Sequence, residues 1–409
     1  MPTITHPVDV AIIGGGIAGL WTLNHLCNQG YNAILLENTA LGSDQTMASQ
    51  GMIHGGMKYT LGGALTGASE AIAEMPDHWR ACLRGEGDVD LRNARVLSEH
   101  FYMWSTAGIG SRLGGFLASK VVRGRVDSVP KNELPALFQH PGFRGKLYKL
   151  VDMVVDTPSL VRALADNMKG RLFAIDWTTA RLTNDQGGTR LTGGHGEDAF
   201  TLAPGAWVFS AGKGNESLLE SIGASSPHMQ RRPLKQVMVR HHLPHRFYGH
   251  CLGAETTPRL TISSHPLADG SQVWYLGGSL AEKGAGQSDG EVLNAARQEL
   301  KELMPWVDFS NAQWSVLAVD RAEPRQRNVA RPDQSFAEWA NTRQQADNVI
   351  AAWPTKLTLA PNLARSVATL LAGRAIVPSH QPAPTLPLAP PAIAPTPWET
   401  AFGVPHAAA

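Results

Sequence analysis

The sequence predicts an α/β protein of two interleaved domains, the second built on a mixed, largely antiparallel β-sheet. The chain has 409 residues and a typical domain about 150, so two domains are expected. Near the amino terminus, a buried-strand pattern, a glycine-rich turn and a helical pattern follow one another. In the middle of the chain, β-branched and aromatic runs alternate with turns of proline, glycine and aspartate, which indicates a second sheet.

The composition is that of a compact globular chain. Hydrophobic residues make up 43% and charged residues 17%, which excludes a disordered, coiled-coil or fibrous protein. The 36 basic and 35 acidic residues leave a net charge of +1. No overall field therefore attracts a polyanion, and no nucleic-acid partner is expected.

The cysteines and the amino terminus indicate a reducing compartment and no export signal. Cys27, Cys82 and Cys251 are far apart and never form a C-x-x-C pair, so the pattern predicts neither a disulfide framework nor a metal site. The first residues, MPTITHPVDV, carry no basic segment before a cleavable apolar stretch, and no uncharged apolar run reaches about 18 residues. We therefore expect a cytoplasmic protein without a transmembrane segment.

Residues 8–37 match the pattern of a Rossmann-like βαβ unit that binds a dinucleotide. A β-branched run leads into GGGIAG and a helical pattern, and a second strand-like run ends at Glu37. Gly14 permits the tight turn, and Gly16 lets the backbone approach a pyrophosphate. Glu37 is expected to accept hydrogen bonds from a ribose hydroxyl. The predicted contact residues are Gly14, Gly16, Ile17, Ala18, Gly19, Glu37 and Asn38.

This unit alone leaves two questions open. NAD and FAD present the same ADP half, so the fingerprint does not distinguish these cofactors. A tight strand-to-helix turn without a ligand is the other alternative, because glycines in any such turn can mimic the fingerprint.

Residues 46–59, TMASQGMIHGGMKY, resemble the second flavin-contacting segment of the D-amino-acid-oxidase-like (DAO) family of FAD-dependent oxidoreductases. The likeness is greatest to glycerol-3-phosphate dehydrogenase and glycine oxidase. Four later stretches keep the order of the family's motifs: VVDTPSLVRAL at 154–164, AWVFSAGKGNES at 206–217, SVLAVDRAEPR at 315–325 and TKLT at 355–358.

The resemblance implies a glutathione-reductase-type domain that holds FAD noncovalently. Beyond the βαβ unit, it implies cofactor contacts at a further set of residues. These are Thr46, Ala48, Ser49, Gln50, Gly51, Met52, Thr178, Ala211, Gly212, Lys213, Thr355, Lys356, Leu357 and Thr358.

The same motifs predict that each domain is assembled from separate stretches of chain. The FAD-binding domain is expected to comprise residues 1–95, 140–225 and 320–380, and the substrate domain residues 96–139 and 226–319. Residues 381–409 are rich in proline and predict a polyproline-type tail, for which docking and disorder both remain open.

Arg321 and Lys58 are the candidate substrate-binding cations. Arg321 is expected in a loop after an apolar strand, where a guanidinium can clamp a carboxylate or phosphate through two hydrogen bonds. The alternative is a surface ion pair with Asp320 or Glu323. Lys58 stands where the resembling glycerol-3-phosphate enzymes have arginine, and its alternative is a lysine that extends along the surface.

Lys356 and His54 complete the set of candidate catalytic residues. Lys356 precedes a helical pattern that Thr358 can cap and Pro361 can open, which predicts a positive potential against the flavin N1 and C2 carbonyl. The alternative is a solvated loop lysine. His54 permits a covalent flavin bond or a general base, whereas the resemblance favours a histidine fixed by hydrogen bonds beside noncovalent FAD.

The predicted function is FAD-dependent oxidation of a C–N or C–O bond in a small anionic substrate, by hydride transfer to flavin N5. The expected substrate is an amino acid, an amine, a hydroxy acid or a polyol phosphate. The sequence does not identify the electron acceptor, for which oxygen and a quinone both remain open. Lys235-Gln236-Val237-Met238 stands where glycerol-3-phosphate dehydrogenases carry a histidine after a Lys-Gly turn, which argues against glycerol-3-phosphate itself.

Two other functions remain open at this point. A pyridine-nucleotide-dependent reductase should display a second nucleotide fingerprint, whereas the other tight glycine cluster, at 108–114, is misspaced. A flavin-binding protein with a decayed active site is the second alternative, because the glycines that the family has before Arg321 and before Lys356 are absent here.

Overall fold

The computed structural model describes residues 4–56, 72–106, 126–253, 255, 257–327, 329, 332–342 and 348–407. In these ranges, no helix has the length and apolar character needed to cross a membrane. Lys58 and the glycine cluster at 108–114 lie outside the described residues, so their predicted roles stay predictions.

The helices include both helical patterns expected beside the cofactor, at Ile17–Asn28 and Ala360–Gly373, and a long helix at Asp289–Leu303. The last of these begins with a capping box between Ser288 and Glu291, which fixes its start. The α-helices are α1 (Ile17–Asn28), α2 (Met75–Leu83), α3 (Thr157–Asp166), α4 (Asn215–Ser221), α5 (Ser279–Lys283), α6 (Asp289–Leu303), α7 (Ala360–Gly373) and α8 (Pro397–Phe402). Single 3-10 turns cover Lys131–Glu133, Ala136–Phe138, Gly196–Asp198, Gly212–Gly214, Gly284–Gly286 and Leu357–Leu359.

The strands lie in several sheets, of which two carry the candidate site. In chain order they are β1 (Ile4–His6), β2 (Val10–Ile13), β3 (Ala33–Glu37), β4 (Met52–Ile53), β5 (Val96–Ser98), β6 (Phe101–Ser105), β7 (Val126–Ser128), β8 (Lys146–Leu150), β9 (Met153–Val155), β10 (Leu172–Ala174), β11 (Arg181–Asp185), β12 (Gly188–Gly193), β13 (Phe200–Leu202), β14 (Ala206–Phe209), β15 (Ala224–Ser226), β16 (Met229–His241), β17 (Gly249–Leu252), β18 (Leu260–Pro266), β19 (Gln272–Gly277), β20 (Gln313–Pro324), β21 (Phe336–Trp339), β22 (Asn341–Thr342) and β23 (Val349–Trp353).

The first sheet has six strands in the order β10-β3-β2-β14-β23-β21. Neighbouring strands from β10 to β23 run parallel, and β21 is antiparallel at the edge. Helices α1 and α7 contribute Leu20, Trp21 and Leu363 to the core on one face, and β12 and β13 contribute Leu191 and Phe200 to the core on the other. Because both faces are covered, β2, β3, β14 and β23 are buried throughout, which explains their continuous apolar sequences.

The second sheet has eight strands in the order β20-β16-β19-β18-β17-β6-β8-β7. Adjacent strands are antiparallel except β17 and β6, which run parallel. This arrangement confirms the predicted mixed, largely antiparallel sheet. Helix α6 packs in its core through Val292, Ala296, Leu300 and Leu303, whose spacing places them on one side of the helix.

The carboxyl-terminal tail docks on the rest of the chain, and its last part is helical rather than a polyproline-type extension. Thr396 and Glu399 form a capping box, and Pro397 occupies the first turn of α8, so the local sequence favours a helix start. Trp398 is fully buried and its ring stacks on His265 at 4.1 Å between ring centroids. Because the segment is rich in proline, the capping-box signal of this short helix was not recognised in the sequence.

Asp156 anchors the end of the tail from the amino terminus of α3. Its carboxylate lies 2.6 Å from Nε2 of His406 and 3.1 Å from the guanidinium of Arg95. Burial by itself raises the pKa of Asp156, but the hydrogen bonds and charges of His406 and Arg95 outweigh burial and lower this pKa to about 2.

We expect Asp156→Asn to lower the free energy of unfolding by about 2–3 kcal/mol at neutral pH, since the folded-state pKa of about 2 lies below the ordinary value of about 3.9. Because the folded pKa is depressed, this contribution is complete above about pH 4 and is lost as the pH falls towards 2. Denaturant unfolding at about pH 7 and about pH 3 measures both effects. Asp166→Asn, an exposed carboxylate at the end of the same helix, is the control. A stability loss that is independent of pH would contradict this account.

Candidate functional site

The candidate site is a cavity of about 800 Å³ lined by residues from both large sheets. Protein pockets for small ligands and cofactors span about 300–1,000 Å³, so this volume suits a large ligand. At one side the cavity is lined by the turn after β2 and the residues after β14. In the strand order, β3 lies on one side of β2 and β14 on the other, which is the switch point where open α/β sheets bind ligands.

The turn after β2 is shaped for the close approach of a ligand. Gly14 has φ +111°, and a β-carbon there would come within 2.6 Å of the backbone of Ala211. A β-carbon at Gly16 would instead meet Thr46 Oγ1 at 3.1 Å, and it would approach no other described residue beyond its chain neighbours within 4 Å. Gly16 immediately precedes α1, whose amino terminus favours a negative group. The turn therefore fits a pyrophosphate.

Glu37 is fixed at the carboxyl end of β3 and lines the same cavity. One carboxylate oxygen accepts the N–H of Gly15 at 2.6 Å, and the other accepts the N–H of Thr39 at 2.7 Å. An ionised carboxylate has about four acceptor positions, so Glu37 can also accept a hydrogen bond from a ligand hydroxyl.

The segment before β4 is tied to the eight-stranded sheet. Gln50 Nε2 donates to the main-chain oxygen of Tyr275 at 2.8 Å, and the phenol of Tyr275 lies within hydrogen-bond distance of both the Ala48 carbonyl and Gln236 Oε1. Burial raises the pKa of Tyr275 well above its ordinary value, so the phenol stays protonated. These bonds hold the Gln50 and Gln236 side chains in place at the cavity wall.

Arg321 lies within β20 rather than in a loop, because β20 pairs with β16 along its whole length. The guanidinium is 3.5 Å from Glu282, and the side chain is 23% exposed. Glu323, one of the expected partners, instead pairs closely with Arg232. Arg232 also contacts Glu282 at 3.4 Å, so two arginines share this carboxylate at the cavity.

Lys356 lines the cavity at the turn that follows β23. Its Nζ donates to the main-chain oxygen of Asp333 at 2.8 Å, which directs the charged end of the side chain. The residue before it, Thr355, has φ +58°, a conformation that favours glycine. The backbone of this turn therefore keeps a conformation that favours glycine, although the Gly-Gly of the resembling family is absent here.

Thr358 does not cap α7 as predicted, because the helix starts later and has Leu359 at its N-cap. The Thr358 hydroxyl accepts the main-chain N–H of His54 at 3.0 Å and donates to the carbonyl of Met52 at 3.3 Å. Pro361 opens the helix in its first turn, in agreement with the sequence. Thr358 therefore joins the turn before α7 to the segment that carries His54.

His54 lines the cavity with a buried carboxylate behind it. Its Nδ1 lies 3.5 Å from Asp152, whose side chain is 4% exposed. The other Asp152 oxygen accepts the N–H of Gly55 at 2.8 Å. The His54 ring is nearly parallel to that of His250, with 6.3 Å between ring centroids. This geometry orients the imidazole.

The family model described as FAD-dependent oxidoreductase (DAO) matches residues 9–368. The chain belongs to the DAO family of FAD-dependent oxidoreductases. FAD is therefore the cofactor, which settles the choice between FAD and NAD. The glycine turn, the anchored Glu37 and the volume of the cavity fit this cofactor.

Similar proteins support this membership over nearly the whole length. A probable FAD-dependent oxidoreductase of Pseudomonas aeruginosa is 45% identical over 396 residues, covering 96% of this chain and 98% of the relative. A crystal structure of an FAD-dependent oxidoreductase from the same organism has a TM-score of 0.82 at 39% identity and covers 98% of this chain and 100% of its own. Glycine oxidase from Geobacillus kaustophilus has a TM-score of 0.64 at 18% identity, covering 90% of this chain and 95% of its own, and shows the shared fold.

Most of the predicted site residues line the cavity. These are Gly14, Gly16, Ile17, Ala18, Glu37, Asn38, Thr46, Ala48, Ser49, Gln50, Met52, His54, Ala211, Gly212, Lys213, Arg321, Thr355, Lys356 and Leu357. Four described residues of the predicted set do not line it, namely Gly19, Gly51, Thr178 and Thr358. A β-carbon at Gly19 would meet the Gly14 carbonyl at 2.0 Å, so this glycine serves the packing of α1. Thr178 lies in an exposed turn bonded to Asp176.

Several polar residues of the site, from the eight-stranded sheet and from α5, were not predicted from the sequence. His250, Thr261 and Glu282 line the cavity, and Asp152 lies behind His54. A carboxylate within the buried apolar run LVDMVVD was the one available signal for Asp152. The others belong to no local motif, because two strands and the helix α5 bring them together from separate parts of the chain.

We expect His54→Ala to leave flavin as fully extractable by acid as in the wild type. The reason is that His54 is held by Asp152 and Thr358, and the prediction from sequence is a noncovalent cofactor. Flavin fluorescence of the acid-denatured polypeptide measures covalent attachment. Fluorescence that stays with the wild-type polypeptide, and disappears in the variant, would show a covalent bond at this histidine.

Proposed function

We propose that the protein oxidises a C–N or C–O bond of a small anionic substrate by hydride transfer to FAD, and that an amino acid or amino-carboxylate is the preferred class. The observation that carries this proposal is the pairing of Arg321 with Glu282 at the wall of the FAD cavity. Oxygen and a quinone remain the proposed electron acceptors.

Arg321 is the group best suited to hold an anionic substrate. Its guanidinium has several donors in a planar array, which suits a carboxylate with two oxygens. The contact of Arg321 with Glu282 is long, at 3.5 Å, and Arg232 contacts the same carboxylate at 3.4 Å, so an incoming carboxylate would compete with Glu282 for the guanidinium. A partly buried site also strengthens such an ion pair relative to one on the open surface.

Glu282 favours an amino acid over a polyol phosphate. A zwitterionic substrate can pair its carboxylate with Arg321 and its ammonium with Glu282. A phosphate dianion, in contrast, would bring its charge close to that of Glu282 and be repelled. This selectivity requires both side chains to face the substrate.

When bound, FAD supplies the acceptor for the hydride. In the reaction, the substrate C–H bond would break with its electron pair leaving as hydride, a C=N or C=O bond would form, and the proton of the nitrogen or oxygen would pass to solvent. The chain supplies mainly orientation: Arg321 and Glu282 hold the two charged ends, and Gln236 is fixed by Tyr275 at the wall. Lys356, with its proposed positive potential, favours the reduced cofactor.

We also propose that the six-stranded sheet belongs to a glutathione-reductase-type FAD domain interleaved with the substrate domain. All strands of that sheet fall within residues 1–95, 140–225 and 320–380. Strand β8 pairs in the eight-stranded sheet. This pairing supports moving the boundary at which the chain returns from the substrate domain to the FAD-binding domain from residue 140 to just after Leu150. The tail from residue 381 onward then covers part of the FAD-binding domain and part of the substrate domain.

The experiment is anaerobic reduction of the bound flavin with a metabolite library. Loss of the oxidised-flavin absorbance with amino-carboxylates, and little with glycerol-3-phosphate or neutral alcohols, is the expected result. Faster reduction by a phosphate ester would overturn the preferred class but not the oxidoreductase assignment. A decayed site, the remaining alternative, would be reduced by dithionite and by no metabolite.

A further inference from the structure

A cluster of metal-ligating side chains lies outside the cavity, between α1, α2 and the loop after α2. His78 and Cys82 are one turn apart on α2, Asp88 follows in the loop, and His25 comes from the last turn of α1. None of these four residues lines the cavity. Cys82 is fully buried, and the side chains of His25, His78 and Asp88 are 8%, 17% and 20% exposed.

Three ligand atoms converge as in a tetrahedral metal site. Nε2 of His78 lies 2.8 Å from Asp88 Oδ1 and 3.7 Å from Cys82 Sγ, and Cys82 Sγ lies 3.4 Å from Asp88 Oδ1. Zinc binds nitrogen and oxygen at about 2.0–2.2 Å and sulfur at about 2.3 Å, so tetrahedral ligand atoms are about 3.3–3.6 Å apart. The two separations that involve Cys82 Sγ, 3.4 and 3.7 Å, are close to that range, whereas His78 and Asp88, hydrogen-bonded at 2.8 Å, would have to move about 0.5 Å apart around an ion.

The surroundings support these ligands. The other Asp88 oxygen accepts from Nδ1 of His25 at 2.9 Å, which fixes the carboxylate. The main-chain N–H of Leu91 donates to the carbonyl of Cys82 at 3.0 Å, which holds the loop after α2 against that helix. A β-carbon at Gly87 would lie 2.3 Å from the Cys82 sulfur, so the loop closes over it only with glycine at this position. Outer hydrogen bonds of this kind orient the ligands of metal sites.

We propose that His78, Cys82 and Asp88 bind a zinc ion, with water as the fourth ligand and His25 as the positioning residue for the carboxylate. Imidazole, thiolate and carboxylate are ligands that zinc combines. On binding, the thiol proton of Cys82 is released to solvent and the sulfur coordinates as thiolate. The ion links the loop after α2 to that helix. Because the three ligands come together only in the folded chain, its binding stabilises the fold.

Arg365 supplies a sharp test, because its guanidinium lies 3.0 Å from Nδ1 of His78 and 3.3 Å from Nε2, the proposed ligand atom. Coordination through Nε2 places the ring proton on Nδ1, which then cannot accept from arginine. Arg365 is exposed and has to turn away when the ion binds. Arg365→Ala is therefore expected to tighten zinc binding, although it deletes an interaction of the metal-free protein.

The experiment uses the full-length flavin-containing protein, freed of metal with a chelator and then titrated with Zn²⁺ or Co²⁺. We expect about one zinc per chain to remain after gel filtration. Tetrahedral Co²⁺ is expected to absorb at wavelengths longer than those of oxidised flavin. His25→Ala should weaken the affinity by about 10–100-fold, as removal of an outer partner does. Cys27→Ser, outside the cluster, should bind as the wild type does.

Cys82→Ser and His78→Ala should each lose the zinc and the Co²⁺ absorption. Flavin content shows whether a variant has folded. If Cys82→Ser does not fold, because Cys82 is fully buried, His78→Ala provides the test. The proposal is overturned if the wild type retains no more zinc than His78→Ala. It is also overturned if Arg365→Ala binds zinc more weakly than the wild type does. The cluster would then be only a set of hydrogen bonds that joins α2 to its neighbours. Neither outcome affects the proposed oxidation.

Discussion

Arg321→Ala should weaken the binding of an amino-carboxylate by about 30-fold to about 5,000-fold, while the FAD content stays normal. Truncating one partner of a desolvated charge pair costs about 2–5 kcal/mol, which corresponds to that range of affinity. The expectation depends on the guanidinium meeting the substrate at the cavity wall, where the side chain is 23% exposed. The perturbation of the flavin spectrum by a titrated ligand measures the affinity.

Arg231→Ala is the matched control for this prediction. Arg231 is on the same strand pair, pairs with Glu216 at 3.1 Å, and does not line the cavity. Its truncation should change the free energy of ligand binding by about 1 kcal/mol or less, which is the usual contribution of a surface ion pair. Equal losses in the two variants would mean that Arg321 acts through the stability of β16 and β20 and not through the ligand.

Gly16→Val should yield a folded but colourless protein. A β-carbon at Gly16 meets Thr46 Oγ1 at 3.1 Å, so a branched side chain has to extend into the space proposed for the pyrophosphate. The same change at Gly14 would be uninformative, because its φ of +111° and the nearby Ala211 backbone would disrupt the fold itself. Absorbance of oxidised flavin per chain, together with circular dichroism, separates cofactor loss from unfolding.

Gly290→Val is the control for Gly16→Val. Gly290 lies in the first turn of α6, and a β-carbon there would meet nothing described within 4 Å. This variant should remain yellow. A Gly16→Val protein with the full flavin content would show that the pyrophosphate does not lie against this turn.

The βαβ unit could be predicted from sequence because its signals are local. The apolar run before Gly14, the helical periodicity after Gly19 and the strand-like run that ends at Glu37 all lie within a short stretch. The buried strands β2 and β3 with α1 between them follow this pattern closely. Local propensity and tertiary packing agree there, so sequence reasoning succeeds.

The polar wall of the cavity could not be predicted in the same way. Glu282 comes from α5 and belongs to no motif, and although Arg321 was predicted as a site residue, its place on a strand that pairs non-locally with β16 was not. Asp152 contacts His54 across almost a hundred residues of sequence. Such contacts depend on strand order and register, which neither composition nor periodicity determines.

The proline-rich tail and the cysteines illustrate the same limit. The start of α8 depends on the Thr396–Glu399 capping box, a weak signal among many prolines. Cys82 belongs to no cysteine motif, yet the fold places His78 and Asp88 around it. Sequence spacing reveals a ligand set only when the ligands lie close together in the chain.

The most direct test of the proposed function is the anaerobic reduction of bound flavin by an amino acid and by its neutral amide, measured side by side. The account predicts rapid loss of the oxidised-flavin absorbance with the acid, and slow or undetectable loss with the amide. It also predicts that Arg321→Ala removes this difference. Equal reduction by acid and amide in the wild type, or reduction by dithionite and by no metabolite, would contradict it.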